Sequence, residues 1–260
     1  MENTNELLPE ERTRLITYLS EFVTAERLQR IHQVIDNRTR YFTVVLEDIF
    51  QPHNASAVLR TCDACGVQDV HIIENCNSHT LSKGVELGTS QWLTRHRYRG
   101  GEDNTTAAIS RLRSLGYRII ATTPHSDDVT PDDFDLTKGP AALMFGTELS
   151  GLSETALSQA DEYIRIPMYG FVESYNISVS VAIILTRLVE RLHRSSIPYH
   201  LQPIEREKLM LQYLRNSIQR VKHVEKRFWS LPQALLHPQP DTLPDPQPHQ
   251  KPDQNGANQS

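Results

Sequence analysis

The apolar positions of this chain change their period along its length. Through residues 7–38 they recur at helical spacing, first as Leu15, Tyr18, Leu19 and Phe22 and then, past Thr24, as Leu28, Ile31, Val34 and Ile35. Two amphipathic helices are expected there. Neither stripe is wide enough to close a core alone, so both must pack on something else, the main body or a second subunit. From Tyr41 onward short apolar runs alternate with helical stretches. Strands are predicted at 42–46, 69–73, 92–98, 117–122, 141–145 and up to 166, and helices at 54–65, 105–115 and 153–160, two of them closed by Gly66 and Gly116. Such alternation predicts an α/β fold, a parallel sheet with helices on both faces and ligands beyond the carboxyl ends of the strands.

A helix over 176–192 is apolar nearly all round in its first three turns, which requires burial. Ser174, Asn176 and Ser178 at its mouth must then find partners, since unpaired polar groups beside a core are costly. Past Pro203 one helix is predicted to about Trp229, with Leu209, Leu211, Tyr213, Leu214, Ile218 and Val221 to pack. After Leu231 proline, glutamine, histidine and aspartate dominate, and so little apolar area cannot offset chain entropy. The expected organisation is a helical extension (1–39), a central α/β domain (40–200), a basic helix (201–230) and a disordered tail (231–260).

Charge complicates this picture. The formal net charge is −5, yet Arg206, Lys208, Arg215, Arg220, Lys222, Lys226 and Arg227 crowd the last helix. A second group, Arg95, Arg97, Arg99, Arg111, Arg113 and Arg118, faces only Glu102 and Asp103. From charge alone these read as solvated faces. No apolar run reaches the roughly 18–20 residues that span a bilayer, and the acidic start of the chain lacks the parts of a secretory signal, so a cytoplasmic location and no membrane partner are expected. Three cysteines, Cys62, Cys65 and Cys76, do not make a disulfide framework.

Candidate chemistry gathers at three strand ends. Glu47-Asp48 follows the first strand and leads to Pro52-His53-Asn54 and a helix containing Arg60. Taken alone, Asn54 reads as an N-cap and Arg60 as a surface residue. Phe145-Gly146-Thr147-Glu148 with Gly151 suits a loop whose backbone approaches a ligand, although a capped turn explains the glycines almost as well. The third strand end is the stretch before the apolar helix. No glycine-rich dinucleotide fingerprint and no P-loop is present. Cys62 and Cys65 have redox-motif spacing but lie late in a helix, where thiolate stabilisation is absent, and read as structural. His53, His71, His79, His96 and His125 lack paired ligand spacing, so no metal is expected.

In combination these residues resemble the three motifs of the TrmH-like 2′-O-ribose methyltransferases of the SPOUT superfamily. The carriers are Asn54, Arg60 and Gly66; then Phe145-Gly146-Thr147-Glu148 and Gly151; then Ile166-Pro167-Met168 with Ser174, Asn176 and Ser178. The likeness runs over residues 41–192 and takes in a linking segment at 84–93 with Gly84, Gly88 and Trp92-Leu93. It implies a SPOUT parallel-sheet domain with a C-terminal trefoil knot, flanked by N- and C-terminal helices. It also implies bound S-adenosyl-L-methionine and an obligate homodimer with its active site near the interface.

Residue by residue, the resemblance implies that Thr122, Gly146, Ile166 and Tyr175 hold the cofactor, mostly through backbone groups. The family usually has leucine where Tyr175 stands. Asn54, Arg60, Glu148, Ser174 and Asn176 match its functional polar set. Arg60 matches the residue assigned to activating the ribose hydroxyl. Because arginine is hardly ever deprotonated, Arg60 is expected to bind an adjacent phosphate and polarise that hydroxyl. Glu148 and Asn176 would orient the loops, and Asn54 would position Arg60 or the ribose. Only about 40 residues precede the first strand, too few for the RNA-binding domain of ribosomal-RNA members. The expected substrate is therefore tRNA, at the D-loop guanosine-18. The alternatives are ribosomal-RNA methylation, a non-catalytic RNA-binding homodimer, and a nucleotide-binding oxidoreductase with an unusual phosphate loop.

Overall fold

Six parallel strands form one sheet in the order β3-β2-β1-β5-β4-β6. They are β1 (Phe42–Glu47), β2 (Asp69–Glu74), β3 (Thr94–Arg99), β4 (Arg118–Thr122), β5 (Ala141–Phe145) and β6 (Glu162–Ile164). The computed structural model describes residues 7–49, 51–75, 88–124 and 128–231. The readings of Cys76, His79, Gly84, His125 and the tail from 232 fall outside these residues. Central β1 and β5 are buried along their whole length, as in sheets covered on both faces. In β1, Val44 pairs with Val70 on one side and Leu143 on the other. Successive strands add outward from β1 toward β3, and the chain then returns to build the other half. The strand order therefore reverses between β1 and β5, and the crevice at their carboxyl ends is where such sheets bind ligands.

Helices α3 (Pro52–Ala64) and α6 (Ile177–His193) cover one face. Val58, Leu59 and Cys62 of α3 share a core with Val181, Ile184 and Leu188 of α6 and with Val70 and Ile72 of β2. Helices α4 (Asn104–Ser114) and α5 (Glu154–Ser158) cover the other, where Ile109 and Leu112 meet Ile73, Ile119 and Met144. The two N-terminal helices, α1 (Pro9–Ser20) and α2 (Ala25–Asp36), pack on α7 (Pro203–Ser217). Thr24 breaks them apart by capping α2, its hydroxyl accepting from Arg27 N at 3.2 Å. Buried Arg38 then joins α2, α3 and α7, donating to the Asp63 carboxylate and, at 2.9 Å, to Tyr213 Oη.

Several boundaries differ from the sequence pattern, among them the start of α3 at Pro52 and the end of α5 at Ser158. The strand predicted up to Ile166 ends at Ile164, because Arg165 N turns away to Val129 O at 2.9 Å and Pro167 has no donor. β3 begins at Thr94, after a 3₁₀ turn at Thr89–Trp92. The helix predicted from Pro203 to Trp229 is two helices, since Arg220 adopts a left-handed conformation at φ 55° and α8 (Val221–Ser230) starts after it. Helix α8 lies in a separate compact unit that begins at Arg220.

The exit of β6 is bracketed by the segment that joins β4 to β5. Thr123 N donates to Ile164 O at 3.0 Å, and Arg165 Nε donates to Asp128 O at 2.9 Å. Helix α6 holds the same segment through Arg191, which donates to Pro131 O, and Arg187, 3.6 Å from Asp132.

Candidate active site

The loop after β5 folds back on itself. Thr147 N donates to Gly151 O at 2.9 Å and Gly151 N returns a bond to Thr147 O at 3.1 Å. A Cβ on residue 146 would lie 2.0 Å from Gly151 O, so the fold-back requires glycine there. Past the loop, Ser153 caps α5, accepting from Ala156 N at 3.1 Å. The Glu47 carboxylate, buried at the end of β1, holds this point: it accepts from Ser153 N and Ser153 Oγ at 2.8 Å each, and from Thr105 Oγ1 at 2.6 Å. By sequence Glu47 is only a strand-end residue. The available signal was a carboxylate closing an otherwise apolar strand.

Two clefts flank this loop. One, of about 370 Å³, is lined by Thr122, Gly146, Ile166 and Tyr175, with Ser174 and Glu173 at its side and Ile164, Leu152 and Met168 as apolar walls. The other, of about 320 Å³, is lined by Ile49, Gln51 and Asn54. Thr147, Glu148, Leu149 and Ser150 face both, as does Ile177 at the start of α6. The residues that the resemblance assigns to the cofactor thus surround a single cleft. Its donor set fits S-adenosylmethionine: apolar side chains for a flat base, backbone at the ends of β4 and β5 for polar edges, and the carboxylates of Glu148 and Glu173 for a cationic sulfonium. The Thr122 hydroxyl is already engaged, donating to Met144 O at 2.8 Å.

Between the clefts the three motifs meet. Asn54 Nδ2 donates to Glu148 Oε1 at 2.8 Å, and Asn176 Nδ2 donates to the same oxygen. Asn176 Nδ2 also reaches Asn54 Oδ1 at 3.2 Å. Asn176 caps α6, its Oδ1 accepting from Ser178 N at 2.9 Å and Ser178 Oγ at 2.6 Å. Asn54 does not cap α3; Gln51 holds that position, and Asn54, in the first turn and buried, turns toward Glu148. Its amide thus reaches a residue 94 positions away as well as the side chain of Gln51, at 3.2 Å, at the start of its own helix. Arg60 stands apart. It is exposed on α3, lines neither cleft and makes no ion pair among the described residues.

The other chemistries have little support in this geometry. The Cys62 thiol is buried, and burial pushes it well above the usual thiol range, the reverse of an activated thiolate. Among the described residues no cluster of His, Cys, Asp and Glu is arranged to hold a metal, and no helix is long and apolar enough to cross a membrane.

The sequence matches the SpoU rRNA Methylase family over residues 41–186. A tRNA (guanosine(18)-2′-O)-methyltransferase from Borreliella burgdorferi is 46% identical over 210 residues, spanning 81% of this chain and 94% of that protein. The Thermus thermophilus protein of the same name is 38% identical, spanning 62% of this chain and 81% of its own length. Among solved structures, the A. aeolicus TrmH/SpoU tRNA modifying enzyme superposes with a TM-score of 0.65 at 27% identity, covering 75% of this chain and 98% of that one. With Asn54, Glu148 and Asn176, one from each strand end, joined at one crevice, the chain belongs to the SpoU methylase family, whose TrmH-like members its sequence resembles.

Proposed function

We infer that this protein transfers a methyl group from S-adenosylmethionine to the ribose 2′-oxygen of guanosine-18 in tRNA. The observation that carries this reading is the junction of Asn54, Glu148 and Asn176 on a wall shared by two clefts, one suited to the methyl donor and one open to an acceptor. Relatives named for this tRNA reaction, one aligned over nearly its whole length, support the substrate.

When bound, S-adenosylmethionine supplies a methyl carbon on a cationic sulfur that leaves as a neutral thioether. The 2′-oxygen would form a C–O bond to that carbon as the C–S bond breaks, and its proton, loosened by the positive charge of Arg60, would pass to solvent water. An alcohol is a weak nucleophile, so positioning and proton removal are what the protein contributes. Glu148 holds the amides of Asn54 and Asn176, and these three residues fix the wall that presents the ribose. Ser174 stands at the reacting end of the donor cleft. Arg60 binds the phosphate next to the reacting ribose and polarises its hydroxyl.

Arg60 lies outside both clefts of its own chain, which supports a role at the site of a second copy. Leu149, Tyr169 and Phe171 are each exposed, the last wholly open to solvent at 109%, and apolar side chains left in solvent beside the clefts support their covering by a second copy. The bonds that bracket Ile164 and Arg165 support a trefoil knot, with the chain leaving β6 drawn through the segment that joins β4 to β5. A cytoplasmic site of action follows from the substrate.

Incubation with labelled S-adenosylmethionine and total RNA, followed by mapping of the labelled nucleotide, tests the reading. Label at guanosine-18 of tRNA is expected, and label confined to ribosomal RNA overturns it. Arg60→Ala is expected to abolish transfer while calorimetry still shows S-adenosylmethionine binding; near-normal turnover would sink the role given to Arg60.

A further inference from the structure

The six arginines between residues 95 and 118 form one cluster in the sequence, but the fold gives them different uses. Arg113 pairs with Asp161 at 2.8 Å, and Arg118 pairs with Glu162 and stands 5.0 Å over the Phe134 ring. Those two fasten neighbouring elements together. Arg111 belongs to α4, on the side of the sheet where its charge acts on His71 and Tyr98.

Arg95, Arg97 and Arg99 are arranged as a row. They alternate with Thr94, His96 and Tyr98 along β3, so all three lie on one face of an edge strand, and all three are exposed. Their register partners on β2 are Val70, Ile72 and Glu74, and Arg97 pairs with Glu74 at 2.6 Å. Alternate residues of a strand are about 6.6 Å apart, so the three side chains form a row roughly 13 Å long. Val70 and Ile72 pack beneath α3, which places the row on the face of the sheet that carries the Arg60 helix. At the start of the row Asn216 Nδ2 donates to Gln91 O at 2.6 Å, bringing the end of α7, with Arg215, to the turn that enters β3.

We propose that this row is a docking surface for the phosphate backbone of the tRNA, separate from the reacting site. The proposal rests on the reading of the substrate as tRNA. A chain of net charge −5 meets a polyanion of its own sign, so its affinity must come from local groups of cations, of which this row is one. Guanidinium groups suit that partner because their planar forks bind phosphate oxygens in pairs. The plainer use of such a row is to blunt an edge strand against pairing with another chain, and the test separates the two.

The test compares the full chain with Arg95→Gln/Arg97→Gln/Arg99→Gln and with Arg95→Gln/Arg99→Gln, which keeps the Arg97–Glu74 pair should the triple variant fold poorly. Binding of a tRNA transcript is measured from low to physiological salt. The triple variant is expected to bind about 10-fold or more weakly, and its slope of log K against log salt to fall by about 2 to 3, close to one for each phosphate no longer neutralised. KM for tRNA should rise in step, with S-adenosylmethionine affinity and kcat at saturating tRNA unchanged. Wild-type tRNA affinity and salt slope in a folded variant overturn the proposal and leave the row its edge-guarding use. Failure of the wild-type protein itself to bind or methylate tRNA overturns the substrate reading instead.

Discussion

Glu148 accepts from two amides, one on each of the helices that enclose the crevice, and it does so from an exposed loop. Its loss therefore acts on geometry more than on folding, since exposed positions contribute little to stability. Glu148→Ala removes the one oxygen that accepts from both amides. It is expected to lower kcat by about 10- to 100-fold, the scale of a displaced reacting group, with a thermal midpoint close to wild type. Turnover and a melting curve on the same preparation check both halves. At this scale the sequence was partly legible. Local spacing made Asn54 a cap; only its partner across the crevice, 94 residues on, shows what the amide does. Arg60 was identified by motif position, whereas its distance from both clefts is a property of the folded chain.

Glu47 joins three elements: the end of β1, the first turn of α4 through Thr105 and the cap of α5 through Ser153. Through Ser153 it also fixes the far end of the loop that lines both clefts. Glu47→Ala leaves the buried Thr105 hydroxyl and the exposed Ser153 N–H and hydroxyl without their acceptor, which is expected to cost about 1–3 kcal/mol in chemical denaturation and to weaken S-adenosylmethionine binding. Glu47→Gln keeps an acceptor oxygen and should lose less of both. The alternation of strands and helices was readable because periods of two and of 3.6 are local properties. The break between α7 and α8 was not, because Ile218-Gln219-Arg220 contains neither glycine nor proline and the apolar spacing runs through it. The end of β6 was also hidden: Ile164 and Ile166 look alike in sequence, and only the bond of Arg165 N to Val129 O separates them.

Across the whole molecule, one polar chain sets an acid limit on stability. His71, buried on β2, bonds through Nδ1 to Tyr98 Oη at 2.9 Å and stacks on His96 with ring centres 4.4 Å apart. Burial, helped by the charges of His96 and Arg111, pushes its pKa down to about 3. The unfolded chain, with an ordinary histidine value near 6.5, therefore binds a proton that the folded chain refuses. This contribution to stability is complete above pH ~6.5 and declines as pH falls toward about 3, at no more than about 1.4 kcal/mol per pH unit. Burial raises Asp69, but its bonds to His96 and Arg40 outweigh that and lower it overall, so its own loss comes below the ordinary carboxylate range. Denaturant titrations between pH 7.5 and 4.5 should show the decline in the wild type and a flatter profile in His71→Phe. An equal slope in both would place the acid sensitivity elsewhere.

The wall formed by residues 147–150 has a thermodynamic consequence. A partition between two chambers cannot change shape for one alone. A ligand that stiffens those four residues from the donor side has already met part of the ordering cost of binding on the acceptor side, so occupancy of the two clefts is positively coupled. Linkage requires the same factor in both directions: S-adenosylhomocysteine should tighten tRNA binding by as much as tRNA tightens S-adenosylhomocysteine. Independent affinities would mean that the wall is rigid before either ligand arrives.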